Sequence, residues 1–210
     1  MPDVAASRAR AVDRLINFSD AVVAVAVTVL VLPLVDIAAP GPGETVWGLL
    51  GRNAGQVFAF VFTFYVVAVM WQAHNRILNG IRDYDGAVFW LNASWLVLIV
   101  MLPWFSAMYG ETISGDARSS GGVGFLYWGA MAAIALFGSA ISWHLRRHPE
   151  LLLPSGGSGS SDRLAAIRGP VMAAYFLFIG VVFEFAPDVA SWLPLGIIPL
   201  SIWLRPHDSG

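Results

Sequence analysis

The fold is decided by the segment RLINFSDAVVAVAVTVLVLPL, residues 14–34, which begins with charged and polar residues and then becomes almost wholly apolar. Residues 21–35 carry no charge, and a helix that also includes the preceding turn reaches the length of about 20 residues that crosses a bilayer. An unpaired charge inside such a helix is costly. The segment therefore predicts a transmembrane helix in which Asp20 needs a polar partner or water.

The composition of the 210 residues is typical of a membrane protein. Hydrophobic residues make up 57% of the chain and charged residues 12%, whereas soluble domains carry about 25% charged residues. The net charge of -2 is too small and too balanced for a nucleic-acid-binding surface, so we expect no nucleic acid partner. The chain has no cysteine, which excludes disulfides, thiolate metal sites and cysteine nucleophiles.

Six uncharged windows are candidates for membrane-spanning helices. Three of them reach spanning length by themselves. The first, fifth and sixth do so if the helix includes a flanking charge or, in the sixth, bends at Pro194 and Pro199. The windows are residues 21–35, 53–75, 86–110, 119–145, 169–183 and 189–204. We therefore predict an all-α polytopic membrane protein with six transmembrane helices per subunit.

Stretches rich in glycine, proline and serine separate these windows, at residues 39–43, 119–122 and 154–161. The longest polar break, at about residues 145–165, divides the fourth window from the fifth. The opening motif is not repeated downstream. Residues 1–210 are therefore predicted to form a single six-helix unit.

The arginines predict the orientation in the cell (inner) membrane. If the N-terminus lies inside, the inner segments hold ten of the twelve arginines and the outer segments hold only Arg52 and Arg118. The positive-inside rule then places both termini in the cytoplasm. The arginines before residue 15 also fit a signal peptide, but no well-formed cleavage site follows them, so we expect the first segment to remain in the chain.

Helical geometry gathers the apolar residues of the first helix on one face. At 100° per residue, Arg14, Phe18, Val25, Val29 and Leu32 lie within about 60° of one another, and Asp20 points at least about 120° away. Such a column fits ordinary helix packing as well as the wall of a pore. Periodicity alone does not decide between these two interpretations.

Residues 14–20 contain the motif RxxxFSD, formed by Arg14, Phe18, Ser19 and Asp20. It resembles the signature on the first helix of the transmembrane protein 175 family of potassium channels, in which lysosomal members carry two six-helix repeats and bacterial members one. Trp71-x-x-His74 and the segment WLNASWLVLIVMLP, residues 90–103, also resemble family motifs, on the second and third helices. The resemblance covers most of residues 10–110 and indicates a bacterial homologue of the lysosomal potassium channel.

The resemblance implies a homotetramer whose four first helices line a central pore, with rings of apolar side chains as the constriction. By their distance from the motif, Val25, Val29 and Leu32 correspond to the constriction, and Thr28 to a polar contact that tunes selectivity. The chain carries valine where family members often have isoleucine or leucine, so the narrowest point is free to shift to Leu32. No segment resembles the TVGYG filter of ordinary potassium channels.

The polar residues of the motif are expected to attach the inner end of the first helix to the neighbouring helices. In this interpretation Arg14, Ser19 and Asp20 join the second and third helices through His74 and Asn92, with Phe18 and Trp71 in the same structural network. Alternatively, His74 and Asn92 are satisfied in separate local contacts. Asp36 is a possible outer-mouth cation site, where a ring of four would concentrate cations, or simply a helix-end charge in water.

Three function classes remain open after these observations: a passive potassium-selective or weakly selective cation channel, a proton- or cation-coupled secondary transporter, and a non-conducting membrane subunit. Transporters usually show paired inverted repeats and charges at mid-membrane depth, and neither pattern occurs here, so the channel is favoured. The four histidines form no HExxH pair, and no nucleophile elbow is present. We therefore expect no enzymatic activity, fixed metal or cofactor, with K⁺ and other monovalent cations as permeant ions.

Overall fold

A computed structural model describes residues 2–114, 122–154, 163–190 and 192–197, and most of these residues are helical. In chain order the α-helices of these ranges are α1 (Pro2–Val29), α2 (Leu32–Val35), α3 (Val46–Arg52), α4 (Ala54–Leu78), α5 (Gly86–Ser114), α6 (Val123–Arg147), α7 (Arg163–Phe185) and α8 (Pro187–Ala190). Short 3₁₀ helices occur at Pro149–Leu151 and Leu193–Gly196. Five helical segments of the described ranges are long and apolar enough to cross a membrane. The predicted all-α membrane fold is confirmed.

The five candidate spans correspond to the first five predicted windows. They are Ala6–Val35, Ala54–Leu78, Gly86–Ile113, Val123–Arg147 and Ile167–Phe185. Half of the sixth window, residues 189–204, lies outside the described residues. The part that is described forms the end of α8 and the 3₁₀ helix Leu193–Gly196, where Pro194 has no N–H group to continue an α-helix.

The first helix begins earlier than its hydropathy indicates. It starts at Pro2 and not near Asp13, because the preceding residues include several alanines and arginines, which favour helix. At its other end α1 stops at Val29, and the chain resumes as α2 at Leu32. Pro33 cannot donate a hydrogen bond to the carbonyl of Val29, so the interruption lies where the proline predicts it.

Helix α1 lies at one edge of the bundle. It packs against α5 and α4, while α5 also packs against α6, and α6 packs against α7. The helices therefore follow the order α1, then α4 and α5, then α6, then α7. One side of α1 contacts the bundle, and the other side is left uncovered by the long helices of the described residues.

Aromatic and hydroxyl side chains join α4, α5 and α6 in the core. The rings of Tyr109 and Tyr127 are stacked with centroids 4.4 Å apart, and both residues are fully buried. The hydroxyl of Thr63 is hydrogen-bonded to that of Tyr127 at 2.6 Å and to that of Ser106 at 3.0 Å. These hydrogen bonds satisfy the buried hydroxyls of Thr63, Ser106 and Tyr127 and fix α4 and α6 against α5.

Gly110 allows α5 to approach α4 closely. A Cβ atom at this position would lie 2.8 Å from the Cα of Gln56 and 3.1 Å from the Cβ of Ala59. The Cα of Gln56 belongs to the backbone, so an added Cβ at Gly110 would fit only if α4 and α5 moved apart. Since α1 packs against both α4 and α5, this contact also positions the first helix.

We expect Gly110→Ala to destabilise the protein by about 1–3 kcal/mol, the usual cost of overpacking a core. The matched control is Gly129→Ala in α6, where an added Cβ meets nothing within 4 Å; it should be neutral, or stabilising by up to about 1 kcal/mol, since alanine favours helix. Thermal unfolding in detergent micelles measures both changes. Equal stability of the two variants would contradict the close approach of α4 and α5.

Candidate functional site

Helix α1 has two different faces. The face toward the bundle carries side chains that are at most 6% exposed, namely Val12, Leu15, Ser19, Val23, Ala26 and Leu30. The other face is exposed in the single chain and carries Arg14, Phe18, Ala21, Val25, Thr28 and Leu32. Both sets follow the three- and four-residue spacing of a helix face. The predicted column of apolar residues is therefore the face that the chain leaves uncovered.

The predicted constriction residues lie on this uncovered face. Val25 is 63% exposed, Leu32 54% and Val29 37%, whereas Val23 is 5% exposed and packs in the core. The hydroxyl of Thr28 donates to the carbonyl of Val25 at 2.7 Å. Its proton is thus used within the helix, and the hydroxyl oxygen of this exposed residue keeps lone pairs that can accept or coordinate.

Ser19, Asn92 and His74 form a buried polar cluster between α1, α5 and α4. The amide nitrogen of Asn92 donates to the hydroxyl oxygen of Ser19 at 3.0 Å, and Ser19 donates to the carbonyl of Leu15 at 2.9 Å. The amide oxygen of Asn92 lies 2.8 Å from Nε2 of His74. The three side chains are at most 3% exposed. A single asparagine therefore connects the first helix to α4 through α5.

The geometry assigns the tautomer of His74. Because the amide oxygen of Asn92 can only accept, Nε2 of His74 carries the proton and donates. Nδ1 is buried and has no hydrogen-bond partner among the described atoms. The imidazole lies flat against the indole of Trp95, with centroids 3.9 Å apart and an interplanar angle of 4°. The ring is thus held by one hydrogen bond and one stacking contact.

The carboxylate of Asp20 is bound by Trp71 and Asn75 of α4, and not by the predicted His74 and Asn92. Nε1 of Trp71 donates to its carboxylate at 2.7 Å, and the amide of Asn75 donates to the same carboxylate at 3.1 Å and 3.3 Å. The expectation that Asp20 is anchored through His74 and Asn92 is wrong, since adjacent residues of a helix point about 100° apart. Ser19 faces α5, and Asp20 faces α4.

The expected role of Arg14 in this network is also not seen. Arg14 is exposed, and the hydrogen bonds and ion pairs of the described residues do not include it. Phe18 is 60% exposed and likewise faces away from the cluster. Arg14 and Phe18 lie on the uncovered face together with Val25, so the RxxxFSD motif divides between the two faces of α1.

Asn75 is the binding residue that the sequence interpretation missed. It donates to Asp20 from α4, directly after His74. A signal was present in the sequence, because Asn75 follows Trp71 by four residues and therefore lies on the same helix face. Trp71 and Asn75 together provide the two donors that the carboxylate needs.

Asp36 lies beside a groove at the other end of the first helix. It is exposed and ends α2. The groove has a volume of about 440 Å³ and is lined by Leu32, Pro33, Asp36, Ile37, Ala38, Arg52, Asn53, Gln56, Ala107 and Glu111. Of its charged residues, Arg52 is engaged by Glu44 at 2.6 Å. Two carboxylates, from Asp36 and Glu111, therefore line an open space next to the C-terminal end of the first helix.

Comparison with known proteins places these features in a family. Residues 14–103 match the family described as the endosomal/lysosomal potassium channel TMEM175, and this stretch contains the second half of α1, all of α4 and the motif-bearing part of α5. A protein of Streptomyces collinus named a potassium channel is 33% identical over 172 residues, which cover 81% of this chain and 82% of that protein. The match thus extends well beyond the motifs.

Two further comparisons concern the fold and the length. The crystal structure of a lysosomal potassium-selective channel TMEM175 homolog from Chamaesiphon minutus aligns with a TM-score of 0.71 and 22% identity, covering 94% of this chain and 100% of that chain. The rat protein named endosomal/lysosomal proton channel TMEM175 is 28% identical over 93% of this chain, but only 38% of the rat protein is covered. This chain therefore spans well under half the length of that vertebrate relative.

Asp20→Ala removes the acceptor of Trp71 and Asn75, and we expect a loss of about 1–3 kcal/mol because hydrogen bonds to a charged group disappear. Arg14→Ala serves as the matched control on the same helix turn and should change the stability by no more than about 0.5 kcal/mol. The midpoint of thermal unfolding in detergent, which moves by about 2–4 °C per kcal/mol in a chain of this size, distinguishes the two. An Arg14→Ala variant as unstable as Asp20→Ala would show that Arg14 has an essential partner.

Proposed function

The chain belongs to the TMEM175 family, and on this premise we propose that it is a potassium-selective or weakly selective cation channel that conducts passively. The relative from Streptomyces collinus, of which the match covers 82%, is named a potassium channel. The observation that carries the proposal is the uncovered face of α1. This face is long, helical and largely apolar. The polar side chains of Ser19 and Asp20 instead form hydrogen bonds with α5 and α4, respectively.

We propose that four copies of the chain assemble so that their first helices enclose the ion path. One α1 cannot enclose a path, and its place at the edge of the bundle leaves it free to meet other copies. A closed ring of identical chains requires a rotational symmetry axis. Both termini then lie in the cytoplasm and the protein spans the cell (inner) membrane, in agreement with the distribution of arginines.

In this assembly Val25, Val29 and Leu32 form apolar rings around the axis. Such rings close a pore by excluding water, and ions pass only when the side chains move apart. Thr28 lies among them and offers a hydroxyl oxygen after donating its proton to the carbonyl of Val25. We assign it to selectivity because an oxygen ligand can replace part of the hydration shell of a cation.

Asp36 is proposed as an outer-mouth site that attracts cations. Its carboxylate is exposed at the end of α2, four residues after Leu32. Four such carboxylates around the axis raise the local cation concentration through their combined field. The site needs no fixed metal or cofactor, because K⁺ occupies it only in transit.

The two alternative functions, a coupled transporter and a non-conducting subunit, have less support. The side chains that face the uncovered side of α1 between Ala21 and Leu32 carry no charge, and an ion-coupled transporter usually places a charge at this depth. A non-conducting subunit would not require an apolar face on the side of α1 that points away from the hydrogen bonds of Ser19 and Asp20. A flux experiment separates the three functions.

We expect purified protein in liposomes to pass K⁺ down a potassium gradient alone, with no pH gradient imposed. Passive conduction needs only the electrochemical gradient of the ion, whereas a coupled transporter needs a second ion. The measurement is K⁺ efflux with and without a protonophore, with protein-free liposomes as the control. Flux that requires a proton gradient would support the transporter, and no flux from folded protein would support the non-conducting subunit.

We expect Val25→Ser and Leu32→Ser to raise baseline K⁺ flux several-fold, because a hydroxyl lowers the cost of wetting the constriction. The matched control is Val97→Ser on α5, since Val97 and Val25 are both 63% exposed in the single chain. Baseline flux in liposomes at equal protein amounts is the measurement. An increased leak in Val97→Ser with no change at Val25 and Leu32 would place the pore at another helix.

A further inference from the structure

Helix α4 presents a row of exposed side chains that the other described helices do not cover. The members recur every three or four residues and therefore lie on one face of the helix. They are separate from Trp71 and Asn75, which bind Asp20. This row, the α4 stripe, consists of Phe58, Val61, Tyr65, Val69, Gln72 and Arg76.

Two polar side chains of the α4 stripe lie within the membrane-spanning part of the helix. Tyr65 is 67% exposed and stands one residue from the middle of Ala54–Leu78, and Gln72 is exposed six residues beyond the middle. Neither side chain forms a hydrogen bond within the part of the chain that the structure describes. The headgroups begin about 15 Å from the bilayer centre, so the hydroxyl of Tyr65 is too deep to reach them.

The other spans expose apolar side chains at their middle. These are Val97 and Val100 on α5, Leu136 on α6 and Leu177 on α7. Lipid tails are as apolar as these side chains and suit them as neighbours. A hydroxyl without a partner in hydrocarbon is costly, so the α4 stripe differs from the surfaces of α5, α6 and α7 and calls for a neighbour that offers a hydrogen-bond acceptor.

The first helix carries such an acceptor at its interruption. Pro33 has no N–H, so the carbonyl of Val29 loses its helical donor. The hydrogen bonds at the interruption are accepted by the carbonyls of Thr28 and Val31, and the turn and loop hydrogen bonds of the described residues include none to the carbonyl of Val29. An unpaired carbonyl within the membrane is also costly. Val29 belongs to the uncovered face of α1, where another copy of the chain can approach it.

The hydroxyl of Tyr65 and the carbonyl of Val29 lie at about the same depth. Asp20 of α1 contacts Trp71 and Asn75 of α4, and the groove places the C-terminal end of α1 beside the first residues of α4, so the two helices run antiparallel. Val29 lies nine residues after Asp20, and Tyr65 lies six residues before Trp71 and ten before Asn75. Both helices rise about 1.5 Å per residue, so a donor and an acceptor without partners meet at one level of the membrane.

Resting on the proposed assembly of four copies, we propose that the α4 stripe packs against the first helix of a neighbouring copy, where the hydroxyl of Tyr65 donates to the backbone carbonyl of Val29. In a closed ring of identical chains each copy offers one side to the next copy and the opposite side to the previous one. Each copy then gives its hydroxyl to one neighbour and its carbonyl to the other. Four equivalent hydrogen bonds thus join the copies around the pore.

Labelling of the wild-type protein with a lipid-soluble diazirine tests whether the stripe faces protein or lipid. The labelled residues are identified by peptide mass spectrometry, in liposomes and in a detergent that dissociates the assembly. Val97 is the matched control, since it is 63% exposed and Tyr65 is 67% exposed in the single chain. We expect labelling of Tyr65 to be several-fold lower in liposomes than in the dissociated protein, and labelling of Val97 to be the same in both. Equal labelling of Tyr65 in the two states would overturn the proposal.

Tyr65→Phe removes the hydroxyl and keeps the ring, so each copy should still fold. We expect it to raise the protein concentration at which the assembly dissociates by about fivefold to tenfold, the effect of losing one ordinary hydrogen bond at each of four interfaces. The matched control is Tyr175→Phe, because the hydroxyl of Tyr175 donates to the carbonyl of Leu193 of the same chain at 2.7 Å. Native mass spectrometry over a dilution series measures both. An assembly as stable in Tyr65→Phe as in the wild type would contradict the inferred contact.

Pro33→Ala tests the acceptor. Alanine restores an N–H that can donate to the carbonyl of Val29 within the helix, so removal of the Tyr65 hydroxyl from this variant should change the dissociation concentration by less than about twofold. A fivefold effect of Tyr65→Phe in both backgrounds would overturn the assignment of the carbonyl of Val29.

The number of copies and the K⁺ flux of the wild type are measured alongside. A conducting tetramer in which Tyr65 is labelled by the lipid reagent would overturn this inference and leave the proposed function intact. A protein that stays monomeric in liposomes and passes no K⁺ would overturn both.

Discussion

A polar side chain inside a membrane-spanning helix must find its hydrogen-bond partner on a neighbouring helix, and this constraint positions α1. Ser19 and Asp20 are adjacent in sequence and therefore point in different directions. Ser19 meets Asn92 on α5, and Asp20 meets Trp71 and Asn75 on α4. Two anchors on two helices fix the rotation of α1 about its own axis. The face that carries Val25 is directed away from the bundle as a result, and between Ala21 and Leu32 its only polar side chain is that of Thr28.

Helix α5 supports this arrangement because it contacts α1, α4 and α6. Asn92 in its first half holds the anchor of Ser19, and Gly110 in its second half brings α4 within backbone contact. Trp95 stacks on His74 and so keeps the other partner of Asn92 in place. Displacement of α5 would therefore disturb both anchors of α1 at once. The direction of the uncovered face of α1 therefore depends on the packing of α4 and α5 against the opposite side of the helix.

The two ends of the first helix differ in chemistry. Near its N-terminus, Arg8 forms an ion pair with Asp83 in the loop between α4 and α5, and Asp85 at the end of this loop lies 2.7 Å from Nε2 of His144 on α6. Near its other end, the helix stops at Val29, restarts at Leu32 and is followed by Asp36 beside an open groove. The first helix is therefore held by charged groups near its N-terminus, whereas its other end is interrupted and lies beside open space.

Hydropathy and the 100° step of a helix are enough to predict the fold class, the five described spans and the exposed face of the first span that carries Val25 and Leu32. The sequence also located Ser19, His74 and Asn92, through motifs that resemble a family. It did not determine that Asp20 is bound by Trp71 and Asn75, that Arg14 stands apart from the network, or that Asp85 and His144 meet across 59 residues. Periodicity fixes the direction of a side chain on its own helix, but the partner in that direction depends on how far the neighbouring helix is shifted and rotated. That shift is set by long-range packing such as the contact of Gly110 with Gln56, so only the tertiary structure decides which donor reaches which carboxylate.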